Sequence, residues 1–330
     1  MSLAFCTYFD QNYAVRAVAM YQSLRRHCPP LRMYMLCLDD EALRAVSKLQ
    51  LPDVVLIPLT ELEKADPELA AVKATRSNVE YYFTCTSCLS RHLMARYPAI
   101  EVLTYLDSDL YFYGSVAPLL AEFEGHSIGA MYHRFPEHGL TRQGRYNVGW
   151  LSWRRDEQGL RCLQEYRRQS IEWCYLREEN GKYADQAYLD AWENYSRFHV
   201  FEHRGANVAP WNLGCYRLTY AGDALHVDGY SLVFFHFTKF RSLGRDWFDS
   251  NLWLSRHVSG RLRRALIEPY IAGLRVVALD LPMTGGALRH FHYRQGLGLL
   301  LRNCVRWLLG SLRGAYIHHP SKAWGVRPRK

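Results

Sequence analysis

The sequence predicts an α/β fold: a central, mostly parallel sheet flanked by helices, followed by a basic, partly amphipathic helical extension. Three observations carry this. Apolar runs of strand length alternate with helix-like stretches through the first hundred residues, the pattern of successive βαβ units. The chain has 330 residues, 49% of them hydrophobic and 14% aromatic, enough for a large buried core and unlike a disordered composition. The fourth apolar run ends in two aspartates one residue apart, where an open α/β sheet presents its ligand crevice.

The elements follow in order. Leu3 to Phe9 is an apolar, aromatic strand, followed by Asp10-Gln-Asn-Tyr13 and a helix over Ala14 to Arg26 that Pro29-Pro30 breaks. Leu31 to Leu38 is the second strand. Asp39 or Asp40 caps a short helix, Glu41 to Leu49, and Asp53 to Leu59 is the third strand. A longer helix, Asn78 to Tyr97, leads to the fourth strand, Glu101 to Leu106. Ser127 to Tyr132 and Tyr146 to Trp153 are further strands, with a polar loop, His133 to Arg145, between them. Helices are expected over Glu157 to Arg177 and Tyr183 to Trp192, and late strands near Phe198–Phe201 and Leu232–Phe237. A catalytic domain is placed at 1–245 and the extension at 246–330.

Charge and cysteine usage narrow the class. Residues 251–330 hold 14 Lys and Arg against Glu268 and Asp280, a charge of +12, so of the total +9 the first 250 residues carry −3. The basic character therefore belongs to the tail. Nine cysteines, an odd number, lie mostly in apolar runs, where a thiol acts as a small hydrophobe. Only Cys85 and Cys88 form a CxxC pair, which reads as helix packing rather than a metal site. No signal peptide precedes Leu3 and no apolar run reaches the ~20 residues of a membrane span, so a reducing, cytoplasmic setting is expected.

The sharpest motif is Leu103-Thr-Tyr-Leu-Asp-Ser-Asp-Leu-Tyr111. Where the chain leaves strand geometry, Asp107 and Asp109 can reach one hard divalent cation, Mn2+ or Mg2+, which would bridge them to a diphosphate. An Asp-rich strand-ending turn is the structural alternative. Asp10 falls at the same sheet edge, so two segments converge on one crevice. Asp10 can accept from a base or ribose and Tyr13 can stack on the base; the alternative for Asp10 is a helix cap. His236 can add an imidazole to the metal, or be a satisfied core histidine. Lys239 can neutralise a leaving diphosphate, or be a solvated lysine past a strand. Asn147, with Gly149 allowing close approach, can bond sugar hydroxyls. Asp185 or Gln186 can face a donor sugar or acceptor hydroxyl, with an N-cap as the plain alternative for Asp185. Asn207-Val-Ala-Pro-Trp-Asn212 combines amides and an indole, suited to sugar or to a packed turn.

Five motifs thus follow in order: Thr7 with Asp10, Asn12 and Tyr13; Tyr105-Leu-Asp-Ser-Asp109; Tyr146-Asn-Val-Gly149; Asp185-Gln186; and Phe235-His-Phe-Thr-Lys239. This set, over about the first three quarters of the chain, resembles GT-A type glycosyltransferases, most of all glycosyltransferase family 8 (the glycogenin and lipopolysaccharide galactosyltransferase type) or a sister family. The resemblance implies that Thr7, Asp10, Asn12 and Tyr13 grip the nucleotide and that Asp107, Asp109 and His236 hold the metal. It also implies that Asp107, Ser108 and Lys239 meet the donor, and that Asn147, Asp185 and Gln186 act at the reacting centre. Family members carry an Arg near the donor diphosphate in the helix before the acid pair, here Arg76 or Arg91. The Lys-Pro-Trp that often follows the late His is reduced to Lys239. The implied reaction is metal-dependent transfer from a nucleotide diphosphate sugar, a UDP-sugar by resemblance, to a glycan or glycolipid, with retained configuration. The cation acts as Lewis acid, and a carboxylate or amide stabilises an oxocarbenium-like centre.

In residues 297–313, Arg302, Arg306 and Arg313 share one helical face, and Leu297, Leu300, Leu301, Cys304, Trp307, Leu308 and Leu312 crowd the rest. This suits a helix lying on an anionic membrane, peripheral at its inner face, or a core-packing helix with its arginines in water. Arg261, Arg263 and Arg264 form a second basic cluster. The rival functions are a sugar-phosphate nucleotidyltransferase, which lacks its Gly-rich loop between Phe5 and Tyr21, and a non-enzymatic basic nucleic-acid- or membrane-binding protein. Nucleic acid is disfavoured as a partner because the basic residues lie beside leucines. An inactive relative keeping the fold is a third.

Overall fold

In the computed structural model, which describes residues 3–28, 30–136, 144–244, 246–253, 255, 257–281 and 307–320, seven strands form one sheet. They are β1 (Leu3–Phe9), β2 (Leu31–Cys37), β3 (Val54–Pro58), β4 (Val102–Leu106), β6 (Ile128–Tyr132), β7 (Tyr146–Arg154) and β8 (Phe198–Val200), in the order β3-β2-β1-β4-β7-β6-β8. A short β5 (Leu110–Phe112) lies outside this sheet. β3, β2, β1 and β4 are parallel; β7 runs against β4 and β6, and β6 is parallel to β8. The expected α/β, mostly parallel architecture is therefore observed.

The helices are α1 (Ala14–His27), α2 (Asp40–Ser47), α3 (Leu59–Ala65), α4 (Pro67–Val72), α5 (Asn78–Arg96), α6 (Ala117–Glu122) and α7 (Glu157–Glu172). Local chemistry sets their starts. Asp39, not Asp40, caps α2 by accepting from the Ala42 amide at 2.7 Å. Ser77 and Glu80 form a reciprocal capping box on α5. Asp156 caps α7 through the Gly159 amide.

Strand side chains alternate between two cores, one on each face of the sheet. Phe5, Phe9, Met33, Met35 and Trp150 meet α1 and residues 262–281 on the first. Ala4, Cys6, Leu36, Leu103 and Tyr105 meet α5 and α7 on the second. α1 is buried nearly all round, between the sheet and a helix over Glu268–Asp280. Part of the basic C-terminal segment thus belongs to the main core. Tyr316–His318 also pairs with Trp247–Asp249.

The helix expected over Glu157 to Arg177 stops at Glu172. Trp173 turns extended (φ −153°) so that it and Cys174 fold inward. The helix expected over Tyr183 to Trp192 is a 3-10 helix, Ala187–Asn194. Beyond those expected, a meander of β9 (Leu218–Ala221), β10 (Ala224–Val227) and β11 (Tyr230–Ser231) precedes β12 (Phe234–His236), which pairs with β5. The eight described cysteines are free thiols, and Cys85 and Cys88 are buried on α5, as expected of packing. Most of the tail helix, 297–306, lies outside the described residues. Residues 307–312 are helical, with Trp307, Leu308 and Leu312 exposed. No helix among the described residues is long and apolar enough to cross a membrane.

Across the second core, Arg167 on α7 grips Asp66, which also caps α4; both are buried. Removing one partner leaves a charge in a poorly solvated place. Asp66→Ala is expected to lower unfolding stability by about 3 kcal/mol in urea titrations; a loss below about 0.5 kcal/mol would show the pair to be dispensable.

Candidate functional site

The crevice is built where β1 and β4 end. Past β1, the Asp10 carboxylate accepts from the Asn12 and Tyr13 amides at 3.0 and 3.1 Å and from the Asn12 side chain at 2.8 Å. Asp10 therefore orders the turn that precedes α1, one carboxylate holding the whole Asp10–Tyr13 segment; it does not cap the helix, whose N-cap is Tyr13 with no side-chain bond. Arg16, buried on α1, lies 4.6 Å over the Tyr13 ring and donates to the Phe240 carbonyl at 2.9 Å. Burial pushes the Tyr13 hydroxyl up to about 12, and the charge of Asp109 adds to this while Arg16 opposes it. Tyr13 and Asp109 therefore share one electrostatic environment. Thr7 is fully buried in β1, and its hydroxyl has no partner among the described residues.

Past β4, the Asp107 amide bonds the Gly149 carbonyl at 3.2 Å, extending the β4–β7 ladder by one rung before the chain turns. Tyr105 donates to Asp107 Oδ1 at 3.0 Å. Ser108 is buried. β5 then pairs with β12, bringing His236 opposite Leu110, and the Phe237 amide bonds the Asp109 carbonyl at 2.9 Å. The result is a cluster: His236 Nε2 lies 3.0 Å from Asp109 Oδ1 and 3.6 Å from Asp107 Oδ2. One ligand atom from each of the three falls within 4.8 Å of the others.

Burial pushes the Asp107 carboxyl up to about 6, and the neighbouring Asp109 adds to this while His236 opposes it. For Asp109, burial is outweighed by His236, which holds its pKa below the usual value. For His236, burial is outweighed by Asp109 and Asp107, which raise it. The other ring nitrogen, Nδ1, is buried and without a partner among the described residues. It faces Gly149, where an added Cβ would come within 3.1 Å of it and 2.6 Å of Asn147 Oδ1. A Cβ here would clash with the Asn147 amide oxygen and press on the imidazole.

β7 bulges opposite β6, where the register shifts between Gly129 and Met131. There Asn147 is buried, its Oδ1 accepting from the Gly149 amide at 3.0 Å and its Nδ2 3.3 Å from His133 Nε2. The other nitrogen of the His133 ring, Nδ1, is buried and without a partner among the described residues. Trp211 packs edge-on to His236 at 5.2 Å, so the Asn207–Asn212 loop joins this wall. Asp185 is buried and accepts from Tyr166 at 3.1 Å; it does not cap a helix, since the N-cap of the 3-10 turn is Gln186, with no side-chain bond.

Lys239 is exposed, in left-handed backbone (φ 57°) three residues past His236. Arg76 is turned into the α5–α7 packing, bonded to Thr84 and the Ile171 carbonyl; Arg91 bonds Gln164 on the surface. Sequence reasoning missed His133, assigned to a polar loop, and Tyr105 as the partner of Asp107. The Tyr two before the first acid was the available signal for the latter.

No protein-family model matches the chain. It is similar to two Bacillus subtilis (strain 168) proteins described as uncharacterized. YfnD is 27% identical over 82% of this chain and 88% of that protein. YfnF is 29% identical over 73% and 82%. Among solved structures it is similar to the galactosyltransferase LgtC in complex with donor and acceptor sugar analogs, with TM-score 0.51 and 15% identity over 86% of this chain and 98% of that one. The glycosyltransferase GlyE of Streptococcus pneumoniae TIGR4 gives TM-score 0.50 and 18% identity over 84% and 62%. The fold is that of the GT-A glycosyltransferases.

Burial pushes Asp185 up to about 7; Thr86 opposes this and the charge of Asp107 adds to it. Because the folded carboxyl holds its proton more tightly than the unfolded one, its contribution to stability is full at about pH 4 and lost as pH rises to about 7. Asp185→Asn stays neutral throughout. Without metal, its urea midpoint should rise relative to the parent between about pH 5 and pH 8. Parent and variant changing in parallel would show that Asp185 does not titrate there.

Proposed function

We propose that this protein is a metal-dependent glycosyltransferase that moves a sugar from a nucleoside diphosphate sugar, a UDP-sugar, to a glycan or glycolipid acceptor. The observation that supports this most is the Asp107–Asp109–His236 cluster at the carboxyl edge of β1 and β4, beside the Asp10–Tyr13 turn. The GT-A fold, the described activities of LgtC and GlyE, and the order of the five motifs agree with it.

The donor set fits a hard divalent cation, Mn2+ or Mg2+. Two carboxylates and one imidazole converge, with burial raising Asp107 and the His236 imidazole holding Asp109 as the anion, a set of oxygen and nitrogen donors suited to such a cation. Such a cation, when bound, supplies Lewis-acid stabilisation of the departing diphosphate.

The chain's own residues do the rest. Asp10, its carboxylate already ordering the turn, and Asn12 and Tyr13 receive the nucleotide, with Thr7 behind them and Ser108 at the acid pair. Lys239 offers a point charge to the leaving phosphates. Asn147, Gln186 and Asp185 form the far wall, where an amide and a carboxylate can stabilise positive charge at the anomeric carbon and orient the acceptor hydroxyl. The Arg76 guanidinium is engaged between α5 and α7, so its contribution to the diphosphate is through the packing of that wall. The catalytic domain takes in 1–245 and also residues 262–281, which pack against α1 in the first core. The rest of the segment 246–330 bears basic charge and the exposed Trp307, Leu308 and Leu312, which would rest on an anionic inner-membrane surface bearing the acceptor.

Asp107→Asn and Asp109→Asn are each expected to reduce UDP-sugar turnover by at least about a hundredfold with saturating donor and manganese, and chelation to do the same to the parent. Near-parent turnover in either variant would remove the metal role. Gly149→Ala displaces His236 and is expected to weaken manganese binding about tenfold in calorimetric titrations; unchanged affinity would show that the imidazole is not a ligand.

A further inference from the structure

His133 lies outside every motif that pointed to the crevice, yet it is 3% exposed at its far wall. Its ring stacks on Phe135 at 4.5 Å and meets Trp211 at 5.8 Å. Its carbonyl accepts from Trp211 Nε1 and Asn212 Nδ2, both at 2.8 Å, and its amide donates to the Arg145 carbonyl at 3.0 Å. Side chain and backbone of this one residue therefore tie β6, β7 and the Asn207–Asn212 loop together.

The hydrogen-bond directions can be worked out. Asn147 Oδ1 accepts from the Gly149 amide at 3.0 Å, which fixes which end of the Asn147 amide points where. The end facing His133 Nε2 at 3.3 Å is then the NH2, a donor only. Nε2 must be the acceptor, so the ring is neutral and carries its proton on Nδ1. Burial favours the neutral form and pushes this histidine down to about 4, and the protonated Nδ1 is buried without a partner among the described residues. With Oδ1 and one N–H of Asn147 occupied, one N–H remains to meet a ligand.

We infer that His133 is a positioning residue which, by accepting from Asn147 at Nε2, holds that amide in the orientation in which it meets the substrate sugar. The inference rests on the glycosyltransferase reading, because it is Asn147 that would touch the sugar. A positively charged or Nε2-protonated ring would present a donor to a donor and turn the Asn147 amide away.

Two measurements on the full chain test this. In long-range 15N–1H correlation spectra of the parent at neutral pH, the His133 ring is expected as the Nδ1–H tautomer; an Nε2–H tautomer or an imidazolium overturns the inference. In steady-state assays, His133→Phe is expected to lower kcat/KM about tenfold, the scale of one lost positioning hydrogen bond, and His133→Gln, which keeps an acceptor, to recover most of it. A Phe variant equal to the parent, or a Gln variant no better than the Phe variant at equal thermal stability, overturns it. If the Phe variant does not fold, the tautomer decides. The spectrum needs no turnover, so an Nδ1–H ring in a protein that hydrolyses or transfers no nucleotide sugar contradicts the transferase reading while keeping the His133–Asn147 bond.

Discussion

Two carboxylates held one residue apart at the mouth of a buried strand repel each other, and the site is organised around that repulsion. Asp107 and Asp109 are partly desolvated, so each disfavours the other's charge. The protein answers with a single imidazole. His236 reaches both acids, stabilising Asp109 as the anion and being stabilised in return. A coupled pair of acids with one neighbouring imidazole has room for a divalent charge in a way that a salt-bridged pair does not.

Holding His236 there takes three separate parts of the fold. The β5–β12 pairing carries it across from a segment far along the chain, and the Asp109 carbonyl bond locks the register. Gly149, on the bulged β7, leaves the space its ring fills. Trp211 closes the remaining side. The same bulge turns Asn147 toward His133, so one irregularity in one strand serves both the metal cluster and the sugar-facing wall. Parallel strands explain why these parts meet: β1 and β4 are neighbours running the same way, so the segments following them leave at the same edge.

Much of this was legible in the sequence because it was local. Apolar run length gave the strands that pair in parallel, and the acids followed directly from the end of one of them. Asp10 was legible as an acid at the same sheet edge, although its carboxylate orders the turn before α1 and does not cap the helix. What could not be read was set by residues distant in sequence. His133 lies in a polar stretch, and part of what holds it is Trp211, 78 residues on, whose indole donates to its carbonyl. The bulge in β7 has no local signature beyond Gly149. The end of the helix at Glu172 goes with the inward turn that buries Trp173 and Cys174, not with a glycine or proline. The β10–β11 turn is different: Asp228 and Gly229 both take positive φ (52° and 89°), and an Asp-Gly pair between apolar runs is a hairpin signal that could have been used.

The account stands or falls on where a cation sits. The most direct measurement is the anomalous difference map of crystals grown with manganese and UDP. The account predicts one strong peak within coordinating distance of Asp107, Asp109 and His236, beside the diphosphate. UDP bound in the crevice with no peak there, or with manganese at another group of side chains, would contradict it.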